Sequence, residues 1–563
     1  MSDASVNICI GGEAGQGLAT VGQMLAKSLV RGGYEITVHQ DYMSRIRGGH
    51  NTFSIRTSTE SVTAPIERID ILVALAQETV VLHAGDLADN GLVIIDSELD
   101  AGDYPHIKVP FKEIAPKAIF TNIAALGILA ALLGLDRDIP AKLINDTFGK
   151  KGQEIVDQNV EVLDKAMAWV NESGADFPDL PPAKGGEGRL MLSGNEAIAL
   201  GALAAGVKFC SFYPMTPSTS VALNLISYGA KMGVVVEQAE DEIAAVNMGL
   251  GASFAGARTI VPTSGGGFAL MTEGVSLAGI IEQPIVFALV MRPGPATGLP
   301  TRSEQADLNL ALYAGHGEFP RAIYAPGTVG QCFDLTHKAF DVAEKYQSPV
   351  FVLSDQFQAD SFRAVEPFHL DALPEPVLPL MEMDDAEAAK YERYAITDSG
   401  VSPRAVPGMS RALVVADSDE HTPDGHITED KMVRVAQQDK RMRKGQGLLS
   451  EVIPPEYVGD ETPDLLLVCW GSTRGAVLEA AQELRDTGTS AAVMHFSQVY
   501  PLNAQDLLPK LEAANKVACV ESNATGQFAD LLQRETGYKV AQKVLRYDGW
   551  PFTAASILEQ LGA

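Results

Sequence analysis

The chain has 563 residues, 46% of them hydrophobic, and a formal net charge of −29. This composition excludes an intrinsically disordered chain, and the length corresponds to roughly three or four domains of about 150 residues. The excess of negative charge argues against nucleic acid or an anionic membrane as the main partner.

The chain opens with a strand, a glycine-rich turn and a helix. Apolar residues over 6–10 predict the strand, and an amphipathic pattern over 18–30 predicts the helix. A turn of this kind can hold a phosphate on backbone N–H groups, which makes Gly12, Gly15 and Gly17 candidates for ligand binding. The spacing G-G-x-x-G-x-G departs from the dinucleotide fingerprint. A tight structural turn, an NAD or FAD site and a site for another nucleotide-bearing ligand are the three interpretations.

Two arginines, Arg45 and Arg47, lie beside a Gly-Gly pair. Their forked donors are suited to phosphate groups, although a solvated loop has the same composition. The first α/β unit continues to about residue 175. Residues 176–190 are rich in proline, glycine and charge and are predicted to be a linker.

A predicted strand over 207–212 leads into residues 213–219, Tyr-Pro-Met-Thr-Pro-Ser-Thr. Proline fixes its own φ and keeps the preceding residue out of helical space, so this segment is a stiff, extended turn. It places Thr216 after a strand end, where open parallel sheets bind ligands.

Four acidic residues follow the next predicted strand, over 234–236. They are Glu237, Glu240, Asp241 and Glu242. All four suit the first turn of a helix, where the helix dipole favours negative charge. The small residues of the predicted helix share one face, which predicts very close packing there, with room for a flat ring. They are Ala245, Gly249, Ala252, Ser253 and Gly256.

A strand over 259–263 is predicted to end in a turn at 264–267, Ser-Gly-Gly-Gly. The strand over 284–291 delivers Arg292 to a loop rich in glycine and proline, which ends at Thr301 and Arg302. An arginine there suits bidentate binding of a carboxylate, with a structural salt bridge as the alternative and Arg302 as the rival residue. Hydroxyls at Thr216 and Thr301 can donate to a carboxylate or a carbonyl oxygen.

The rest of the chain comprises a helix over 329–346, a strand over 349–354, an irregular connector and a last α/β domain. The connector, 366–459, contains a basic helical stretch at 431–444, predicted to be a solvated face or a subunit contact. His421 and His426 lack the spacing of a metal pair.

The last domain covers 460–563. Its predicted strands are 465–470, 491–496 and 517–520.

Five widely spaced cysteines show none of the close spacings of zinc, redox or iron–sulfur motifs. We therefore expect reduced, buried thiols and no metal site in this chain. The N-terminus carries no basic leader, and the longest apolar run, 123–135, is too short to cross a bilayer. These features predict a cytoplasmic protein without a membrane partner.

Four motifs in fixed order identify a family. They read Tyr-Pro-x-Thr-Pro-Ser, Glu-Asp-Glu-x-Ala-Ala, Thr-Ser-Gly-Gly-Gly-Phe and Arg-Pro-Gly-Pro-x-Thr-Gly-Leu-Pro-Thr. Over nearly its whole length the chain resembles the alpha subunits of 2-oxoacid:ferredoxin oxidoreductases, most closely the 2-oxoglutarate type with a gamma domain fused at the N-terminus. The resemblance implies an α/β fold class with three Rossmann-like or transketolase-like domains.

The implied domains are a gamma-like domain at 1–175, a linker at 176–190, a thiamine diphosphate pyrimidine-side domain at 191–365, a connector at 366–459 and a transketolase C-terminal-like domain at 460–563.

The resemblance also implies roles for individual residues. Glu242 matches the carboxylate that bonds N1′ of the thiamine diphosphate aminopyrimidine, and Pro214 lies on the cofactor. Thr216, Arg292 and Thr301 match positions that contact the oxoacid. The gamma-like domain would hold coenzyme A through Gly12, Gly15, Gly17, Arg45 and Arg47.

Two expected parts are missing from the sequence. The chain contains no Gly-Asp-Gly motif for the diphosphate and Mg²⁺, and no cysteine set for a [4Fe–4S] cluster. The resemblance therefore implies a beta subunit that carries both, in a dimer of alpha–beta pairs.

The implied reaction is oxidative decarboxylation of 2-oxoglutarate with coenzyme A to succinyl-CoA and CO₂, or its CO₂-fixing reverse as in a reductive TCA cycle, with ferredoxin as the electron carrier. The alternatives are a pyruvate or branched-chain oxoacid enzyme, a non-redox thiamine enzyme and a non-catalytic subunit that binds coenzyme A and partner proteins.

Overall fold

The computed structural model describes residues 5–13, 17–44, 48–115, 117–175, 177–178, 180–186, 188–379 and 383–563. These residues form three sheets of eight, seven and five strands. The chain divides into two compact units. The first comprises Met1–Ser193, Asp360–Phe368 and Thr553–Ser556, and the second Gly194–Ala359, His369–Phe552 and Ile557–Ala563. The predicted α/β class is confirmed, whereas the predicted domain limits stay predictions.

The strands are β1 Val6–Glu13, β2 Glu35–Asp41, β3 His50–Ser58, β4 Ile69–Ala74, β5 Leu87–Asp96, β6 His106–Val109, β7 Leu190–Leu192, β8 Phe209–Phe212, β9 Val235–Gln238, β10 Thr259–Thr263, β11 Ile285–Met291, β12 Ala322–Tyr324, β13 Pro349–Asp355, β14 Arg363–Val365, β15 Glu456–Val458, β16 Leu465–Trp470, β17 Ala491–Phe496, β18 Gln498–Tyr500, β19 Lys516–Glu521 and β20 Gln542–Leu545.

The helices are α1 Leu18–Arg31, α2 Gln77–His83, α3 Phe111–Ile114, α4 Thr121–Leu132, α5 Asp138–Phe148, α6 Gln153–Ser173, α7 Gly194–Ala204, α8 Thr219–Gly229, α9 Glu242–Phe254, α10 Gly265–Ile280, α11 Leu308–Tyr313, α12 Val329–Tyr346, α13 Gln356–Asp360, α14 Asp385–Ala388, α15 Lys431–Ser450, α16 Arg474–Asp486, α17 Ala504–Ala513, α18 Gln527–Thr536 and α19 Ala554–Leu561.

The first unit is built on the eight-stranded sheet, in the order β6-β5-β4-β1-β3-β2-β14-β7. The central strand β1 pairs in parallel with β4 and antiparallel with β3. Helix α4 is apolar on all sides and almost wholly buried, because α1 and α6 also pack against it. The apolar run at 123–135 is therefore a core helix, as predicted.

The second unit holds the other two sheets. In the seven-stranded sheet, ordered β18-β12-β13-β11-β10-β8-β9, all seven residues of β11 are buried. A parallel strand covered on both faces needs such a continuous apolar run. Phe268 packs edge-on against Phe287 and Phe351 at 5.7 and 5.5 Å between ring centroids, which fixes α10 on this sheet.

The five-stranded sheet has the order β15-β17-β16-β19-β20, with β16, β17, β19 and β20 parallel. Its core is continuous with that of the seven-stranded sheet. The strand β18 leaves the last domain and pairs antiparallel with β12 of the seven-stranded sheet. The last domain is thus joined to the central sheet by hydrogen bonds as well as by apolar packing.

The basic stretch at 431–444 is helical, within α15, and only part of it is a solvated face, as at the exposed Lys431 and Arg434. Lys440 and Lys444 are buried and both pair with the carboxylate of Glu282, with 2.7 Å between Lys440 Nζ and Glu282 Oε1. Arg441 is also buried and bonds Glu420 at 2.7 Å. The two lysines therefore hold the connector to the rest of the second unit, whereas the pair of Arg441 and Glu420 lies within the connector.

Candidate active site

The predicted catalytic residue and two predicted oxoacid-binding residues lie at one edge of the seven-stranded sheet. The parallel strands β8, β9, β10 and β11 end next to one another, and each is followed by a segment singled out in the sequence. Thr216 follows β8, Glu242 opens α9 after β9, and Arg292 follows β11. Because the carboxyl ends of parallel strands meet at one edge, the fold brings these residues to one place.

Glu242 is the buried member of the four acidic residues. Its side chain is 4% exposed, whereas Glu237, Glu240 and Asp241 are exposed. Asp241 has a different role, because its Oδ1 accepts a hydrogen bond of 2.7 Å from the Ala244 N–H and so caps α9. The structure therefore favours Glu242 over its three rivals as an acceptor for a buried ligand.

The carboxylate of Glu242 lies against the first turn of α10. A Cβ added at Gly267 would lie 2.8 Å from Glu242 Oε1 and 2.5 Å from Thr263 Oγ1. The turn predicted at 264–267 is thus wrong, since α10 begins at Gly265 and its glycines allow the helix to approach this carboxylate. The helical spacing of the apolar residues Phe268, Met271, Val275 and Ala278 was the available signal of a helix.

Glu242 has the properties that the pyrimidine ring of thiamine diphosphate requires. Among the described residues, no hydrogen bond or ion pair engages its carboxylate. The residue is 4% exposed, yet its carboxylate oxygens are not sealed off from solvent, so a ligand can reach them and supply a hydrogen-bond donor. The aminopyrimidine presents such a donor at protonated N1′, so this residue fits the cofactor.

The small-residue face of α9 has a different role from the predicted one. Ala245, Gly249 and Ser253 are buried, and a Cβ added at Gly249 would lie 2.9 Å from Val261 Cγ2. This face packs on strand β10 and leaves no room for a ring. The exposed side of α9 carries Ile243 and Met248, which are 48% and 42% exposed.

Arg292 and Thr216 are in direct contact. Arg292 Nη1 donates to the main-chain oxygen of Thr216 at 2.7 Å, which fixes both segments relative to one another. Burial lowers the pKa of Arg292, and the nearby Asp307 opposes that shift. Thr301 closes the same loop and is 8% exposed. Arg292 and Thr301 thus lie at the two ends of one loop, and Arg292 joins that loop to Thr216 through the Thr216 carbonyl and not its hydroxyl.

Two further carboxylates were missed by sequence reasoning. Glu304 and Asp307 follow the loop, and a Cβ added at Gly265 would clash with the Asp307 carboxylate. Burial raises the pKa of Asp307 to about 6, against the charge of Arg292. Burial and then the charge of Asp307 raise the pKa of Glu304 to about 7. The sequence signal that could have revealed them is a pair of acids three residues apart, directly after residues 292–301, which we call the arginine loop.

The glycine-rich turn of the first unit is described in part. Gly12 lies in β1 opposite Asn51, and Gly17 begins α1 with φ 78°. A Cβ at Gly17 would clash with the Asn122 side chain, so both backbone conformation and packing require glycine. Gly15, Arg45 and Arg47 lie outside the described residues, and the coenzyme A role of the group stays a prediction.

Three protein-family models match the chain in succession. Pyruvate ferredoxin/flavodoxin oxidoreductase matches residues 7–169, the thiamine diphosphate-binding model of pyruvate flavodoxin/ferredoxin oxidoreductase matches 200–441, and the transketolase C-terminal domain matches 457–560. A 2-oxoacid:ferredoxin oxidoreductase subunit alpha from Sulfolobus sp is 32% identical over 98% of this chain and 96% of its own length. The chain belongs to this family of alpha subunits.

The 2-oxoglutarate oxidoreductase subunit KorA of Mycobacterium tuberculosis is 29% identical over 98% of this chain and 90% of its own. The solved 2-oxoglutarate:ferredoxin oxidoreductase from Magnetococcus marinus, with 2-oxoglutarate, coenzyme A and succinyl-CoA bound, superposes with a TM-score of 0.93 at 30% identity. The match covers 100% of this chain and 99% of that one.

These comparisons confirm the resemblance and the fold class, and they make this alpha subunit one part of a multi-subunit oxidoreductase. In the described part of the chain, no helix is long and apolar enough to cross a membrane.

Proposed function

We propose that this chain is the alpha subunit of a 2-oxoglutarate:ferredoxin oxidoreductase. With a beta subunit it would convert 2-oxoglutarate and coenzyme A to succinyl-CoA and CO₂, while two oxidised ferredoxins each take one electron, and the reverse reaction would fix CO₂. The observation that carries this proposal is the buried Glu242, whose carboxylate has no protein partner among the described residues, at the strand edge that also presents Arg292 and Thr216. The full-length similarity to 2-oxoglutarate enzymes supports the choice of substrate.

Glu242 is assigned to the pyrimidine end of thiamine diphosphate. The cofactor, when bound, supplies the nucleophilic carbon and the electron sink for decarboxylation. Glu242 would share a proton with N1′, and its burial makes that hydrogen bond strong because water does not compete for it. Pro214 is exposed on the segment that precedes Thr216 and is proposed to border the same ligand.

Arg292 is assigned to the C1 carboxylate of the oxoacid. One Nη group donates to the Thr216 carbonyl, and this bond holds the guanidinium in one orientation. The remaining N–H groups can then donate to a carboxylate. Thr301, at the other end of the loop, would donate to the same substrate. Asp307 reduces the local positive charge and so limits how tightly an anionic substrate is retained.

The remaining functions are assigned to the gamma-like domain and to a partner. Gly12, Gly15, Gly17, Arg45 and Arg47 would hold coenzyme A. Because the sequence contains no Gly-Asp-Gly motif, the diphosphate with its Mg²⁺ is assigned to a beta subunit, together with the [4Fe–4S] cluster that passes electrons to ferredoxin. We propose a dimer of alpha–beta pairs in the cytoplasm.

The test uses the complex purified without oxygen through a tag on this chain. Viologen reduction is followed with 2-oxoglutarate, pyruvate and 2-oxoisovalerate, each with and without coenzyme A. We expect reduction that depends on coenzyme A and is fastest with 2-oxoglutarate. Faster reduction with pyruvate or 2-oxoisovalerate would overturn the substrate. No reduction with any acid, by a complex that contains iron and thiamine diphosphate, would favour a non-catalytic binding subunit.

A further inference from the structure

The last α/β domain has its ligand-binding edge filled by another segment of the chain. In open parallel sheets, ligands bind beyond the carboxyl ends of the strands. Here the residues that follow β16, β19 and β20 all contact the segment 302–309, which directly follows the arginine loop. This edge of the five-stranded sheet is therefore in contact with residues 302–309.

Gln305 is the centre of that contact and is 0% exposed. Its side chain donates to the Trp470 main-chain oxygen at 2.9 Å and accepts from the Ser522 N–H at 3.0 Å. Its main-chain N–H donates to the Ser522 oxygen at 2.5 Å, and its carbonyl accepts from Asn523 Nδ2 at 3.2 Å. Four polar groups of one residue are thus satisfied by the ends of β16 and β19.

Arg302 and Ser303 are held by the turn after β20. The guanidinium of Arg302 lies 5.1 Å from the centre of the Trp550 ring, and the Ser303 N–H donates to the Gly549 oxygen at 3.0 Å. Gly549 has φ 89°, and a Cβ there would lie 3.0 Å from Arg302 Cβ and 3.2 Å from Leu299 Cδ1. The turn therefore fits closely against the end of the loop.

The arginine loop is also held by the central sheet at Ser303, whose Oγ donates to Asp355 Oδ1 at 3.3 Å and accepts from the Phe357 N–H at 3.3 Å. The Leu299 N–H donates to the Pro293 oxygen at 3.1 Å, which closes the loop on itself, and Leu299 is 47% exposed. At its start the loop is fixed by the bond from Arg292 to Thr216. At its end, the contacts of Arg302, Ser303 and Gln305 provide the support.

We propose that the last domain positions the arginine loop, residues 292–301. Gln305 and the stack of Arg302 on Trp550 are the contacts through which it does so. The proposal rests on the proposed function, because it takes Arg292 and Thr301 as oxoacid contacts. Release of the far end of the loop would let Thr301 move, and a displacement of about 1 Å at a positioned group can cost about a hundredfold in rate.

The test compares Trp550→Ala with Trp550→Phe in the complete complex. Trp550 is 38% exposed, so its truncation leaves the core intact. Gln527→Ala is the matched control, since Gln527 bridges the same two segments at Ala306 and Asn309, beyond the loop. The readouts are KM for the oxoacid, KM for coenzyme A, and amide hydrogen exchange of residues 293–304.

We expect Trp550→Ala to raise KM for the oxoacid about tenfold, to leave KM for coenzyme A within about twofold, and to speed amide exchange in 293–304. Trp550→Phe keeps an aromatic face and should behave like the wild type, as should Gln527→Ala. Gln305→Ala should raise KM for the oxoacid and speed amide exchange in 293–304 by more than Trp550→Ala does.

Unchanged exchange and unchanged KM in Trp550→Ala would overturn the proposal, and so would a raised KM without faster exchange, which would indicate direct substrate contact. The exchange readout requires no turnover, so it still decides the question if 2-oxoglutarate is not the substrate.

Discussion

Replacement of Glu282 by glutamine tests the buried charge network of the connector. The Glu282 side chain is 1% exposed and faces Lys440 and Lys444, which are 0% and 1% exposed. Burial alone would raise the pKa of Glu282, but the charges of Lys444, Lys440 and Arg393 lower it to about 2. Glutamine keeps the shape and removes the charge, which leaves two buried ammonium groups without an anion.

The expected loss of unfolding free energy depends on whether a lysine without its carboxylate partner stays charged or loses its proton. If it stays charged, breaking a buried pair costs about 3–5 kcal/mol. If it loses its proton at pH 7, the cost from an ordinary pKa of about 10.4 is about 5 kcal/mol. A loss of about 3–5 kcal/mol corresponds to a fall in the unfolding midpoint of about 6–20 °C, at about 2–4 °C per kcal/mol.

The pH dependence has a defined sign. Burial lowers the pKa of Lys444 to about 8 even beside Glu282, so the unfolded lysine holds its proton more tightly than the folded one. The free energy of unfolding therefore rises with pH between the folded-state and the unfolded-state pKa of the lysine. The loss of stability in Glu282→Gln, relative to the wild type, should accordingly shrink toward pH 9.5. Calorimetry of the intact complex at pH 7.0 and 9.5 measures both effects.

The matched control replaces Glu282, Lys440 and Lys444 together by methionine. Removal of these three charges leaves only the buried Arg393 guanidinium, which keeps its hydrogen bonds to Gln347 Oε1 and to the main-chain oxygens of Ile281 and Glu282, and should restore part of the lost stability. A fall of less than about 2 °C for Glu282→Gln at pH 7, or a deficit that is the same at pH 9.5, would refute the reasoning.

Three further predictions concern the strand edge. Arg292→Lys should raise KM for the oxoacid by about a hundredfold with a smaller change in KM for coenzyme A, because lysine lacks the forked donors; equal changes in both constants would contradict a carboxylate contact. Asp307 has a pKa of about 6 and Glu304 a pKa of about 7, so oxoacid affinity should rise about three- to tenfold from pH 7 to pH 5.5. Asp307→Asn should weaken that dependence, and Asp307→Asn combined with Glu304→Gln should abolish it; an Asp307→Asn variant that keeps the wild-type pH profile of KM would rule this out. Gly267→Ala would push a methyl group against Glu242 and should release thiamine diphosphate from a folded complex, with Gly266→Ala as the control, since a Cβ there meets its nearest atom at 3.7 Å.

Much of the fold was predictable because its signals are local. The strand over 259–263 and the helix over 329–346 have the predicted bounds, since each is a clear apolar or amphipathic run with polar or turn residues at its ends. The motif at 213–219 likewise placed Thr216 after a strand end. Local sequence patterns fix such elements before any tertiary contact is formed.

The errors came from partners that are distant in sequence. The glycines at 265–267 favour a turn locally, but they open a helix, and Gly265 and Gly267 must be glycines because Asp307 and Glu242 occupy the space that side chains would need. The basic run at 431–444 indicated a solvated face, because Glu282 is far from it in the sequence. The sequence singled out Glu242 only through the family resemblance, whereas its burial, which no local pattern shows, separates it from the three exposed acids.

The assignment of Glu242 is tested most directly by Glu242→Gln in the complete complex, with Glu240→Gln as the control on the exposed neighbour. Turnover with 2-oxoglutarate and the thiamine diphosphate content are measured on the same preparations. We predict that Glu242→Gln lowers turnover by about 10²–10⁴-fold, as expected for loss of a proton-sharing group, while Glu240→Gln stays near the wild-type rate. Near-wild-type turnover by Glu242→Gln would contradict the assignment of this residue to the pyrimidine ring.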